Sequence, residues 1–190
     1  MKKIIIIGSG GHARAVLDVI LDSKKFKFAG FIDEDLKKKN VIGNDQDLNK
    51  IFKKIRYAVI GVGQIKDPIL RKKLYNKLKK IGYKLPVIRA STSYVSKSAI
   101  IKEGTVIMHG CIINFNAKVG NNVIINTKAL IEHDVSIGDN CHISTNSTIN
   151  GACVIGDNTF IGSNTVVVNN VKIGESKFVK ANSLVTKNLL

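Results

Sequence analysis

From Val95 to Val185 every sixth residue is Ile or Val, without a slip of register. The fifth place of each hexad is mostly small, as at Ala99, Thr105, Cys111, Ala117, Cys141 and Ser147, and Gly follows the branched residue at Gly120, Gly138, Gly156, Gly162 and Gly174. An α-helix repeats its apolar face about every 3.6 residues and a strand about every 2, so a period of six fits neither. It fits a parallel β-helix, with three hexads to a coil of about 18 residues and the branched residue pointing into a narrow prism. The run supplies about five coils. Prisms of this kind are usually left-handed, against the crossover habit of other parallel sheets. A left-handed parallel β-helix of hexapeptide repeats is therefore expected over 91–190.

Residues 1–90 alternate differently. "KKIIIIGSGGHARAVLDVIL" reads as a buried strand, a glycine turn and a helix whose apolar residues are Ala15, Val16, Val19 and Ile20. "FKFAGFIDED" reads as a second strand ending in acids, "YAVIGVGQ" as a third with another glycine turn, and "YKLPVI" as a fourth. "DPILRKKLYNKLKKIG" reads as a helix with Pro68 in its first turn and Gly82 as its stop. Strands alternating with helices predict a small Rossmann-like parallel sheet in an α/β domain. The boundary is placed near Ala90, inside the linker "RASTSYVS".

Charge falls on the first domain. Residues 1–90 hold 22 Lys or Arg against 8 Asp or Glu, and residues 91–190 hold 8 against 6. A basic domain suits anionic ligands. Phosphorylated small molecules fit better than nucleic acid, whose aromatic interleaving and motifs are missing. Cys111, Cys141 and Cys153 fall at the small inward place of their hexads, never a multiple of 18 residues apart, and read as buried free thiols of a reducing compartment. "MKKIIIIG" is too short for a signal peptide or a span, so a cytoplasmic chain without a membrane partner is expected.

Gly8, Ser9, Gly10, Gly11, His12 and Ala13 satisfy GxGxxG/A between strand and helix, and Asp33 ends the second strand. This matches the dinucleotide fingerprint. Bare backbone N–H groups at a helix N-terminus favour a phosphate. A prism is an unusual partner domain for a dehydrogenase, so a nucleotide-sugar is preferred to NAD.

The succession "GSGGHARAVLDVI", "GFIDED", "IGVG", then hexads carrying "IEHDVSIGDNCHIS" and "NGACVIG", resembles the NeuD/PglD-type sugar acetyltransferases over nearly the whole chain. The resemblance implies a homotrimer that binds acetyl-CoA between neighbouring prisms and holds a nucleotide-sugar in the N-terminal domain. The implied reaction is N-acetylation of a UDP- or dTDP-linked amino-deoxysugar. The alternatives are O-acetylation of sialic acid or a related nonulosonate, and a non-catalytic nucleotide-binding scaffold. His133, third in its hexad and so projecting outward, matches the family's general base. Asp134 is the residue expected to orient it, with Glu132 as substitute. His142 and Gly151 match positions near the acetyl group, Gly151 as an oxyanion donor, and Asn126, in the hexad before, is expected as their polar neighbour. Gly10, Gly11, His12, Asp33, Gly61, Gly63 and Arg71 are carried over as sugar-nucleotide contacts. No metal is expected, since His133 and His142 lie half a coil apart. His109 reads as a solvent-side residue without a role. Two positions depart from the pattern: Arg89 stands where relatives have His near the linker, and the Gly-x-Pro-Ala tail over CoA is missing from "VTKNLL".

Overall fold

The structure, a computed structural model, describes residues 1–65 and 67–190. In the N-terminal domain β1 (Lys2–Ile7), β2 (Phe26–Ile32), β3 (Val41–Gly43) and β4 (Tyr57–Ile60) form a parallel sheet in the order β3-β2-β1-β4. Helices α1 (Gly11–Ser23), α2 (Leu48–Phe52) and α3 (Ile69–Ile81) connect them. The run of four isoleucines follows from burial on both sides of β1, as parallel sheets require. Ile4 and Ile6 pack with Val16, Val19 and Ile20 of α1, while Ile5 and Ile7 pack with Leu48, Leu74 and Leu78 of α2 and α3. Gly82 ends α3 with φ 104°, a left-handed cap that glycine adopts without strain.

One strand differs from expectation. The fourth strand of this sheet is Val41–Gly43, not "YKLPVI". Lys84 makes only an isolated bridge to Tyr57. Pro86 has no N–H to extend a ladder. Ile88–Arg89 pairs instead with Val106–Ile107 and is the first strand of a prism sheet, just before the expected boundary.

The hexads form a parallel β-solenoid of three sheets, two of six strands and one of five. Partners lie 18 residues apart, as in Leu130↔Thr148 and Ile131↔Ile149. Ile113, Ile125, Ile131, Ile143 and Ile149 are fully buried inside. All three cysteines are free and buried. At each hexad corner from Gly104 to Asn182 one residue has positive φ. Asn and Gly occupy most of these corners because they tolerate the left-handed conformation. Asp134 is one of the exceptions, with φ 60°.

The three faces have different fates. One presents Val106, Ile124 and His142, which are buried by the N-terminal domain. The second presents Tyr94, Ile112, Leu130, Thr148, Val166 and Leu184, mostly apolar and largely exposed. The third mixes Ile100, Lys118, Ser136, Val154 and Lys172. His109, expected to be idle, fastens the domains: its Nε2 lies 3.1 Å from Asp18 of α1 and its Nδ1 3.0 Å from Thr92. The carboxylate of Asp22 accepts from the N–H and hydroxyl of Ser91 beside it. Arg89 stays within the prism, donating to Ser93.

Candidate active site

His133 stands at the corner between the exposed apolar face and the mixed face, since Leu130–Ile131 precedes it and Ser136–Ile137 follows. Its Nδ1 lies 2.9 Å from Asp134 Oδ2. The other oxygen of Asp134 accepts from Asn116 Nδ2 at 2.7 Å, one coil below. The Asn116 and His133 contacts hold the Asp134 carboxyl below its ordinary pKa. An ionised carboxylate only accepts, so Nδ1 of His133 is the donor in this contact, and in the neutral ring the lone pair then lies on Nε2. Glu132 is engaged elsewhere, by Asn114 Nδ2 at 2.9 Å, and the orienting contact belongs to Asp134. The left-handed corner conformation brings this short acid beside its neighbour. Gly151, one coil above, leaves the space that the His133 ring fills. Among the described residues its N–H makes no hydrogen bond.

A second group gathers on the face under the N-terminal domain. The carbonyl of Gln64, in the turn after β4, faces His142 Nδ1 in a close hydrogen bond. Asn126 Nδ2 lies 3.1 Å from His142 Nε2, and Asn126 Oδ1 accepts from the Thr127 N–H at 2.8 Å. The amide is thereby oriented, and His142 donates from Nδ1 and accepts at Nε2. Burial pushes its pKa down to about 4, against the opposing pull of the Gln64 bond, so it is neutral at pH 7. Gln64 Nε2 donates to the Asn140 carbonyl at 2.8 Å, closing the latch between domains.

His12 lies in the first turn of α1, with Gly63 against it. Its Nε2 is buried without a hydrogen-bond partner, and burial, with Arg71 and His142 nearby, lowers its pKa to about 3. Gly10 and Gly11 are exposed with open space around them, and no side chain caps α1. Asp33 is already engaged: it accepts from the N–H of Ser9 at 2.9 Å, from Ser9 Oγ, and from the N–H of Asp35 at 3.1 Å. These bonds, that of Ser9 Oγ above all, hold its pKa near 2. Asp33 therefore braces the glycine turn. Glu34 and Asp45, unnoticed in the sequence, line the same crevice with Val62 and Leu70.

Arg71 does not reach the crevice. It is fully buried, with Nη1 donating to the carbonyls of Ile60 and Val62 at 2.8 and 2.9 Å and Nε to that of Asn122 at 3.3 Å. It fastens the turn carrying Gly61 and Gly63 to the prism, and burial lowers its pKa to about 9. In a single chain, then, the sequence-derived residues separate into two groups. His133, Asp134 and Gly151 share one corner, while His142, Asn126 and the N-terminal turns lie on or beside the opposite face.

A domain that positions an anion-binding helix end, joined to a hexad prism carrying an oriented outward histidine, defines an acyltransferase of the hexapeptide class. The family comparisons are more specific. The PglD N-terminal domain matches residues 3–78, and the six-repeat bacterial transferase hexapeptide matches 116–151 and 152–187. The chain thus joins a PglD-type N-terminal domain to transferase hexapeptide repeats. It is similar to PerB from Caulobacter crescentus, solved with CoA and GDP-perosamine, at 29% identity over 100% of this chain and 91% of that one, with a TM-score of 0.93. A mutant of perosamine N-acetyltransferase from the same organism, also with CoA and GDP-perosamine, matches at 28% identity over 100% and 90%, with a TM-score of 0.94. The acetyltransferase domain of PglB from Neisseria gonorrhoeae, solved with acetyl coenzyme A, shares the fold at 24% identity over 99% and 92%, with a TM-score of 0.92.

Proposed function

We propose that the chain transfers acetyl from acetyl-CoA to the amine of a nucleotide-linked amino-deoxysugar, with His133 as general base. The observation that carries this is the His133–Asp134 pair, in which the carboxylate holds Nδ1 and Nε2 is left for the acceptor. The amine nitrogen attacks the thioester carbon and the C–S bond breaks. His133 Nε2 takes the proton from nitrogen and returns it to the departing sulfur. The N–H of Gly151, without a hydrogen bond among the described residues, donates to the carbonyl oxygen as negative charge develops there. His142 and Asn126 hold the acetyl end, with His142 as a neutral group of fixed tautomer.

The uncapped N-terminus of α1, at Gly10 and Gly11, suits the diphosphate. His12, Gly61 and Gly63 border the sugar. UDP and dTDP are the nucleotides expected from the sequence, and GDP joins them because the perosamine enzyme was solved with GDP-perosamine.

The two groups of site residues meet only between copies of the chain. The exposed Tyr94, Ile112, Val166 and Leu184 form the apolar face that such an assembly would cover. A homotrimer closes the interface by rotation, as hexad prisms do. Buried thiols fit a reducing cytoplasm, and no described helix is long and apolar enough to cross a membrane. The test is thiol release from acetyl-CoA with UDP-, dTDP- and GDP-linked amino-deoxysugars beside free and CMP-linked sialic acid. Turnover of the sialic acids alone would replace N- by O-acetylation, and the absence of thiol release with every acceptor in the panel would leave a scaffold.

A further inference from the structure

The N-terminal domain is electrically polarised along its strands. Parallel strands begin at one end of their sheet, and here those beginnings are basic. Lys2 and Lys3 open β1. Lys25 precedes β2, and Lys27 within it is level with Lys3. Arg56 precedes β4, and Lys84 bridges to Tyr57 beside it. All six cations are exposed. Asp33, Glu34 and Asp45 line the crevice at the opposite end of the strands, where Lys38 and Lys77 pair with Asp33 and Asp45. Two carboxylates lie near the basic end, Asp22 in the last turn of α1 and Glu103 beside Lys84, and both are engaged, Asp22 by Ser91 and Glu103 by Lys79 and Tyr75.

We propose that the basic end of the sheet docks the chain on an anionic phospholipid surface, with the substrate crevice facing away from the bilayer. A negatively charged leaflet attracts lysines lying within a Debye length, about 10 Å at 0.1 M salt. A broad exposed end carrying six cations meets that condition without any apolar insertion. The composition of the patch favours lipid over nucleic acid. Five of the six cations are lysines, point charges without the planar fork that reads phosphates and bases bidentately. Binding of single strands also needs open aromatic faces. Here Phe26 and Tyr57 lie against each other with centroids 5.4 Å apart, and Lys2 Nζ sits 5.3 Å over the Tyr57 ring. The linear sequence shows no membrane partner because it contains no apolar span. The surface is assembled from separate segments that only the sheet brings together.

The experiment is co-sedimentation of the full chain with vesicles of phosphatidylcholine alone or with phosphatidylglycerol added. Binding is expected only to the anionic vesicles at 0.05 M salt, falling at least about tenfold at 0.3 M. The variant Lys3→Gln/Lys25→Gln/Lys27→Gln/Lys84→Gln should lose binding with its melting temperature unchanged. Removal of equal charge elsewhere, Lys37→Gln/Lys39→Gln/Lys73→Gln/Lys97→Gln, should leave it. The salt series on the unmodified chain judges the proposal without any variant. No binding to anionic vesicles at 0.05 M overturns it, and equal loss in the two variants reduces it to diffuse net charge. Displacement from vesicles by polyuridylate at equal phosphate concentration assigns the surface to nucleic acid instead.

Discussion

The ring of His133 occupies the space above which Gly151 has no side chain: a Cβ at Gly151 would lie 2.6 Å from Cε1 and 2.7 Å from Nε2. The two residues are 18 apart, so the prism stacks them directly. The ring is the movable end of a side chain, whereas the prism backbone is fixed. Gly151→Ala should therefore leave the melting temperature within about 2 °C of the parent, because an exposed ring swings away at little cost. The swing carries Nε2 off its line and crowds the N–H of Gly151, and kcat should fall on the order of 100-fold. Thermal melts beside steady-state kinetics separate the two effects. A stable variant with parental kcat would remove both residues from the chemistry.

In the proposed reaction Asp134 acts through His133. Replacing the histidine by Ala removes the proposed base, and kcat should fall about 100-fold or more with a smaller change in KM. Asp134→Asn keeps the shape but offers an amide that can donate to Nδ1, which turns the ring toward the wrong tautomer. The loss should be smaller than for the base itself, about 10-fold in kcat. An intact rate in His133→Ala would mean that the acceptor amine arrives already free of its proton.

Arg71 is a cation in the core without a carboxylate, held by three carbonyls. Arg71→Met strands those acceptors and should destabilise the chain by about 2–4 kcal/mol. Because two of the stranded carbonyls, those of Ile60 and Val62, flank Gly61 in the turn that also carries Gly63, KM for the nucleotide-sugar should rise while that for acetyl-CoA holds. Chemical denaturation and the two KM values check this. A stable variant with weakened phosphate binding would return Arg71 to the crevice.

The sequence revealed the prism more fully than the domain that covers it. A hexad is local, so every inward Ile and every small corner residue announces itself along the chain. Asn at most of the positive-φ corners is a second local signal of the same repeat. β3, three residues long, is too short for any periodicity, and its place at the sheet edge depends on pairing with Phe31 and Ile32. The fate of Arg71 was hidden for a related reason. A basic residue on a Lys-rich helix looks solvent-facing until the prism closes over it. His109, Gln64 and Asp18 act only across the domain junction, and nothing near them in sequence names their partners. The His133–Asp134 contact was legible because the two residues are neighbours in sequence as well as in space.

His12 and His142 make the fold sensitive to mild acid. Burial lowers their pKa values to about 3 and about 4 from the usual 6.5. The folded chain refuses protons that the unfolded chain accepts, so stability is complete above about pH 7 and declines as pH falls through 6.5 toward 4. Each histidine costs about 1.4 kcal/mol per pH unit in that window. From pH 7 to 5 the two together remove about 4 kcal/mol at most. Asp33, with its pKa near 2, contributes stability that is lost only below about pH 4, outside this window. Melting temperatures at pH 7, 6 and 5 should fall steeply, and less so in His142→Gln. A flat series would mean that the junction opens to water and both rings titrate freely.

The proposed division of the site between copies gives the sharpest test. In one chain His133 stands at the corner facing away from the N-terminal domain, whose turn carries His12. If each site pairs His133 of one copy with His12 of a neighbour, two disabled variants can restore each other. His133→Ala lacks the base. His12→Ala holds the nucleotide-sugar poorly and is slow at sugar concentrations below its KM. In a trimer containing both kinds of chain, one of the three sites receives the intact base and the intact turn, and another receives both lesions. Random mixing at equal amounts places both kinds in three quarters of the trimers, so about a quarter of all sites become whole. The two proteins, unfolded together and refolded, should regain roughly a quarter of the parental rate, while each refolded alone stays low. A mixture no more active than the mean of its parts would place both residues in one chain's site, or dissolve the trimer on which the shared site rests.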